Sequence, residues 1–192
     1  MKNKDILHDR YDFTEDDKAI IDISLESLND LFNSFDKKTT LYKRELDQDF
    51  EDYLLASVKE LDGHDFVVKL EIENNNDKTS EELIRRAIKN HFRFLYWKER
   101  KKVSKLIIKF ILLLLLGIAL MAFYYENSKY IKNFDSIPMY SKIIFEGIDI
   151  AGWVAFWEAF SCLIFDFIPI KNNRMLYEKI SKSGIQIGNL YN

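Results

Sequence analysis

Apolar and polar positions alternate over residues 19–25. Ile21, Ile23 and Leu25 fall on one side, Asp22 and Ser24 on the other, a period of two that predicts a strand. Phe66, Val68, Leu70 and Ile72 repeat the pattern against Lys69, Glu71 and Glu73, predicting a second strand over 66–73. Between them the spacing turns helical. Leu46, Phe50, Tyr53, Leu54, Ser57, Val58 and Leu61 predict a helix over 47–61. Asp47 and Asp49 suit its start, where carboxylates take up free backbone N–H groups, and Asp62-Gly63 suits its end. A helical turn is expected over 27–35 and a loop over 36–40; residues 1–18, polar and mostly acidic, read as a flexible arm.

After the breaker Asn74-Asn-Asn-Asp77 the pattern changes scale. Thr79 and Glu82 have the spacing of a capping box, the start signal of a long helix. Its first part carries the stripe Ile84, Ala87, Ile88, His91, Phe92 and Leu95, expected to cover the small sheet. Within that stripe His91 reads as a hydrogen-bonded core residue, since His8 and His64 are too distant in sequence to share a metal. Residues 106–125 are then apolar except for Lys109. Twenty residues at about 1.5 Å each match the roughly 30 Å of hydrocarbon in a bilayer. Tyr124 and Tyr125 stand where an interfacial aromatic belt belongs. Helix unbroken over 79–125 would be about 70 Å long.

A second apolar stretch covers 148–168 and predicts a return span, leaving 126–147 as an outer loop with Tyr130, Phe134, Pro138 and Tyr140. A short helix over 173–181 follows. Gly184 then frees residues 185–190 as a third strand, placed to pair with the strand over 66–73. The expected fold class is an α+β membrane protein. A small cytoplasmic α/β domain, residues 19–105 plus 171–192 with a sheet of about three strands, is carried on a two-helix transmembrane hairpin.

Charge sharpens this picture. Residues 1–80 hold 11 Lys+Arg against 21 Asp+Glu, and residues 81–192 hold 17 against 10, within a chain of 192 residues and net charge −3. Lys98, Arg100, Lys101, Lys102 and Lys105 precede the first span, and Lys171, Arg174, Lys179 and Lys182 follow the second. The stretch between has only Lys129, Lys132 and Lys142. The excess of cations beside both span ends puts both termini in the cytoplasm and points the basic tract at lipid headgroups, not nucleic acid. Cys162 is the single cysteine, so no intrachain disulfide can form. No phosphate loop, nucleophile elbow, metal-ligand cluster or zincin motif occurs, and no cofactor or enzymatic role is expected.

The candidate chemistry is therefore the polar residues of the spans: Glu158, Asp166, Lys109 and Asp149. A charge at the bilayer centre costs roughly 2.5–3.5 kcal/mol on insertion scales, so each needs a reason to be there. Lys109 and Asp166 lie at matching depth in an antiparallel hairpin and could pair, or each could reach the interface alone. Glu158, counted from Pro169, falls near mid-membrane, level with Gly117. Gly147, Ala151, Ala155 and Cys162 share its helix face, a row of small residues that lets helices approach. Three roles remain open for Glu158: a hydrogen-bonding residue within the hairpin or between copies, a lining residue of an ion path, or a contact to a partner membrane protein. Trp153 and Trp157, four apart, read as packing or lipid contact.

Ser27-Leu-Asn-Asp-Leu-Phe32, Ile88-Lys-Asn-His-Phe92 leading into a span, Ile150-Ala-Gly-Trp-Val-Ala-Phe-Trp157, and Phe165-Asp-Phe-Ile-Pro169 before a basic Leu-Tyr helix resemble one sequence pattern. It is that of an uncharacterised family of bacterial two-span membrane proteins, and the resemblance covers most of residues 27–190. Glu158 departs from it, since a basic residue is frequent there. The resemblance implies a bacterial cytoplasmic membrane and no activity. The expected function is that of a non-enzymatic, membrane-anchored interaction or scaffold protein that self-associates and engages a protein partner through its cytoplasmic domain. The alternative is a small oligomeric pore or membrane effector gated by that domain.

Overall fold

The alternation over 19–25 and 66–73 becomes two adjacent parallel strands, β2 (Ala19–Leu25) and β3 (Phe66–Ile72), in the register Ile21↔Val68 and Ile23↔Leu70. The computed structural model describes residues 7–36, 38–73, 78–132 and 138–189. A parallel pair needs a crossover, and α1 (Gln48–Glu60) supplies it. Asp47 caps α1 as expected, its carboxylate accepting the Asp49 N–H at 2.9 Å. The turn after the helix uses left-handed backbone at Asp62 (φ 42°) and Gly63 (φ 99°).

The sheet has four strands, not about three. β4 (Gly184–Asn189) pairs parallel with β3 as the sequence predicts, matching Ile185 to Val68 and Ile187 to Leu70. On the other edge β1 (Asp12–Phe13) pairs antiparallel with β2, giving the order β1-β2-β3-β4. The segment read as a loose arm is therefore built into the domain over its described residues, 7–18. Leu7, Tyr11 and Phe13 pack on the core. Tyr11 Oη donates to Glu60 at 2.8 Å, and Arg10 pairs with the same carboxylate at 2.9 Å. Two residues of strand are too short to show a period, which is why β1 escapes a pattern search.

The helices lie on one face of the sheet. Ile21, Ile23, Val68, Leu70 and Ile185 meet Leu54 and Val58 of α1 and Ile84, Ile88 and Phe92 of α2 (Lys78–Lys132) in one buried cluster, joined by Ile180 of α4 (Ile168–Lys182). The opposite face is polar: Lys69 bridges its cross-strand neighbour Asp22 at 3.3 Å and Glu71 at 2.8 Å. Burying about 25 cal/mol per Å² of apolar surface on one side is the stabilising term in such a two-layer α/β unit.

The expected long helix is one unbroken element, α2, and the second apolar helix is α3 (Met139–Ser161). Both run further than predicted into the stretch read as an outer loop over 126–147. The side chain of Thr79, residues 74–77, Phe134 and Leu190 lie outside the described residues. A π-helical turn, Cys162–Phe167, joins α3 to α4 without a break. It occurs where Pro169 withdraws an amide donor from the helical ladder. The chain divides into two compact units, one of Met1–Trp97 with Asn173–Asn192 and one of Lys98–Asn172. This division falls between Trp97 and Lys98, whereas the sequence pattern drew the end of the α/β domain at residue 105.

Candidate functional site

Along α2 in the second unit Val103, Leu106, Phe110, Leu113, Gly117, Leu120, Tyr124 and Asn127 are buried or half-buried and alternately three and four residues apart; Glu99 is buried one turn earlier, and Leu114, Met121 and Ser128 are half-buried as well. Along α3 and its π turn Ser141, Phe145, Ile148, Gly152, Ala155, Ala159 and Cys162 show the same alternation, with Asp149, Phe156 and Ser161 half-buried as well. A repeat of three and a half residues is the signature of two helices meeting along a continuous seam. The contacts fix an antiparallel register. Tyr124 stacks on Phe145 with ring centroids 4.7 Å apart. Seven residues back along α2 and seven forward along α3, Gly117 meets Gly152.

Lys109 Nζ lies 2.9 Å from Glu158 Oε1. The partner of Lys109 is thus Glu158, and not Asp166, which is exposed on the π turn. The same register corrects the depth of Glu158. Gly152, not Glu158, is level with Gly117, so Glu158 lies beside Lys109 toward the basic end of the hairpin. The count from Pro169 fails because the helix continues past that proline instead of ending there. By this register the portion of α3 level with residues 106–125 is about 144–163, shifted from the expected 148–168.

The row of small residues divides. Ala155 and Cys162 are in the seam, whereas Gly147 and Ala151 are exposed, and a Cβ placed on Gly147 would meet nothing within 4 Å. The seam instead uses Gly152 and Ala159, which sequence reading passed over; their places seven and fourteen residues after Phe145 were the available signal. Asp149 is half-buried on α3 near Tyr124, whose hydroxyl reaches Glu146 at 3.4 Å. Trp153 and Trp157 point away from α2, 63% and 76% exposed.

Two clefts lie among the described residues of the other unit. One, of about 620 Å³ beside the C-terminal end of β2, is lined by Asp22, Asp30, Asp47, Asp49, Phe50 and Tyr53. Two of its carboxylates serve the backbone: Asp47 caps α1, and Asp30 accepts the Ser27 N–H at 2.9 Å. The second, of about 330 Å³, includes Lys18, His64, Lys179 and Lys182. Among the described residues no group of three or more His, Cys, Asp or Glu side chains is arranged to hold a metal ion. His91 is the hydrogen-bonded residue expected of it. The Leu46 N–H donates to Nδ1 at 3.5 Å, which leaves Nε2 to donate to Glu51 at 2.9 Å.

A scan against protein-family models gives no match, and neither does a comparison with curated proteins or with solved structures. What the chain can do is therefore argued from its own chemistry. That chemistry is concentrated in the hairpin, where two helices long and apolar enough to cross a membrane are joined, among the described residues, by the Lys109–Glu158 ion pair.

Proposed function

We propose that this protein is a non-enzymatic, membrane-anchored interaction or scaffold protein that self-associates through its spans and presents its α/β domain to a protein partner. The observation that carries the reading is the outer surface of the hairpin. In the most apolar window of each helix only 6% and 22% of the residues are buried, at mean hydropathies of 2.9 and 1.5. A soluble core helix buries such residues. Here Leu112, Leu115, Leu116, Ile150, Val154 and Phe160 all face outward, a surface far beyond what water tolerates on a monomer. Lys98, Arg100, Lys101, Lys102 and Lys105 at one end of the hairpin give the positive-inside signal that sets both termini in the cytoplasm. The bacterial cytoplasmic membrane follows from the family resemblance.

The test is extraction and topology together. The chain is expected to stay with membranes through alkaline carbonate washing. A reporter at the C-terminus should read cytoplasmic and one inserted near residue 135 should read external. Release by carbonate would end the membrane reading, and an external C-terminus would end the hairpin orientation.

The half-exposed Lys109–Glu158 pair favours a second reading, a small oligomeric pore or effector whose spans conduct ions. Purified protein in liposomes distinguishes the two: dye or ion leak that Glu158→Leu abolishes supports the pore, and tight liposomes carrying a copurified partner support the scaffold.

A further inference from the structure

Within one hairpin the Lys109–Glu158 pair is only half covered: the side chains are 47% and 51% exposed. Lys109 stands six to seven residues from the middle of the apolar run 106–125, about 10 Å along the helix and inside a hydrocarbon half-thickness of about 15 Å. An ion pair in that medium is favourable only when its remaining hydrogen-bonding capacity is met, and lipid tails cannot meet it.

The two sides of the seam differ. At 100° per residue, Lys109 and Glu158 fall on one side, together with Leu112, Leu116, Gly147 and Ala151, the last two without side-chain bulk. On the other side Ile107 and Ile111 of α2 and Phe156 of α3 stand out as bulky groups. The second side also carries Asp149, but only the first side sets an anion and a cation at one level beside residues without bulk.

We propose that the side of the hairpin bearing Lys109 and Glu158 is the surface on which a second copy of this chain docks, related by a two-fold axis along the membrane normal. The proposal rests on the membrane reading and names the surface for its self-association. Charge complementarity selects the second copy. Lys109 and Glu158 lie side by side at one level, so a two-fold rotation sets each Lys109 opposite the Glu158 of the other copy. Four alternating charges then close into a ring and cover one another. Gly147 and Ala151 let the two α3 helices approach while this happens.

The experiment uses full-length protein carrying either of two tags, coexpressed and purified in mild detergent or nanodiscs, after carbonate resistance has been checked. Lys109→Glu leaves two carboxylates at the pair and Glu158→Lys leaves two ammonium groups. Each variant alone is expected to lose cross-tag recovery at least roughly tenfold through like-charge repulsion. Coexpressed, the two should recover each other at close to the wild-type level, because only the contacts between copies are then of opposite charge. Gly147→Leu keeps the pair and fills open space on a single hairpin, so it should leave monomer intact and lose the dimer. In a Cys162→Ser background, Ala151→Cys should form a disulfide between copies and Ile111→Cys should not. Monomeric wild-type protein, no mutual recovery of the charge variants, or cross-linking at Ile111→Cys instead overturns the proposal and leaves the membrane anchor standing. Loss of the chain to the carbonate wash overturns the membrane reading itself.

Discussion

Gly117 and Gly152 face each other across the seam of the hairpin. A Cβ on Gly117 would lie 3.2 Å from the Gly152 carbonyl oxygen and 3.0 Å from Phe156 Cδ2. A Cβ on Gly152 would meet Met121 Cγ at 2.9 Å and the Gly117 carbonyl only at 3.5 Å. The two glycines are therefore not equivalent: backbone and an aromatic ring crowd the first, a flexible thioether chain the second.

From this the order of two substitutions follows. Gly117→Ala is expected to weaken the hairpin more than Gly152→Ala, because the Met121 side chain can turn aside and a carbonyl cannot. Gly117→Leu should hold the helices apart. Disulfide trapping between Tyr124→Cys and Phe145→Cys, in a Cys162→Ser background, reads the closure. Equal trapping in all three variants would show that the helices do not meet at Gly117.

The His91–Glu51 hydrogen bond joins α1 to α2 through side chains only 11% and 12% exposed. Glu51→Leu leaves the His91 Nε2 proton without an acceptor and should cost the domain about 1–3 kcal/mol. Glu51→Gln keeps an acceptor oxygen and should cost less. Denaturant midpoints of the full chain in detergent, followed by hydrogen exchange of the β3 amides, report both. Identical midpoints for Leu and Gln would remove the bond from the account of stability.

Alkaline pH should loosen the α/β unit through Tyr11 and Lys69. Burial, followed by the Glu60 carboxylate, raises the Tyr11 hydroxyl above the ordinary tyrosine value. Hydrogen bonds to Glu71 and Asp22 raise the Lys69 ammonium. In both cases the folded state holds its proton more tightly than the unfolded one, so the stabilisation is complete below the unfolded pKa, near 10. It is lost as pH rises through the raised value. Tyr11→Phe should remove part of the slope of unfolding midpoint against pH above about 10 and leave the neutral region with only the loss of the Glu60 hydrogen bond. An unchanged alkaline slope in Tyr11→Phe would show that the N-terminal segment does not hold that proton.

The sheet was legible because each long strand buries one face, and burial of one face writes a period of two into Ala19–Leu25 and Phe66–Ile72. The stripe Ile84, Ile88, Phe92 was legible for the matching helical reason. The seam of the hairpin was not. Lipid is as apolar as a protein neighbour, so Leu112 facing outward and Leu113 on the seam look alike in sequence, and residue size marks a seam only where Gly or Ala stands in it. Reading size alone chose Gly147 and Ala151, which share a spacing of four with Ala155, over Gly152 and Ala159, which keep the heptad. Glu158 was set level with Gly117 for a related reason: nothing local tells that helix continues through Pro169.

That register makes one more consequence measurable. If the hydrocarbon is centred between Leu115 and Leu116, as the extent of residues 106–125 sets it, the level of the membrane centre on α3 is near Trp153. Trp157 then lies four residues, about 6 Å, nearer the basic end. Both indoles face outward and are open to lipid. With Trp97 replaced by Phe, and Trp153 or Trp157 replaced by Phe in turn, each remaining indole can be quenched by lipids brominated at different depths. Quenchers near the chain ends should act most strongly on Trp153, and quenchers nearer the headgroups should gain on Trp157. The opposite ranking would place Glu158 near the centre after all. Lys109 would then be drawn inward with it, and the hydrocarbon could not be centred between Leu115 and Leu116.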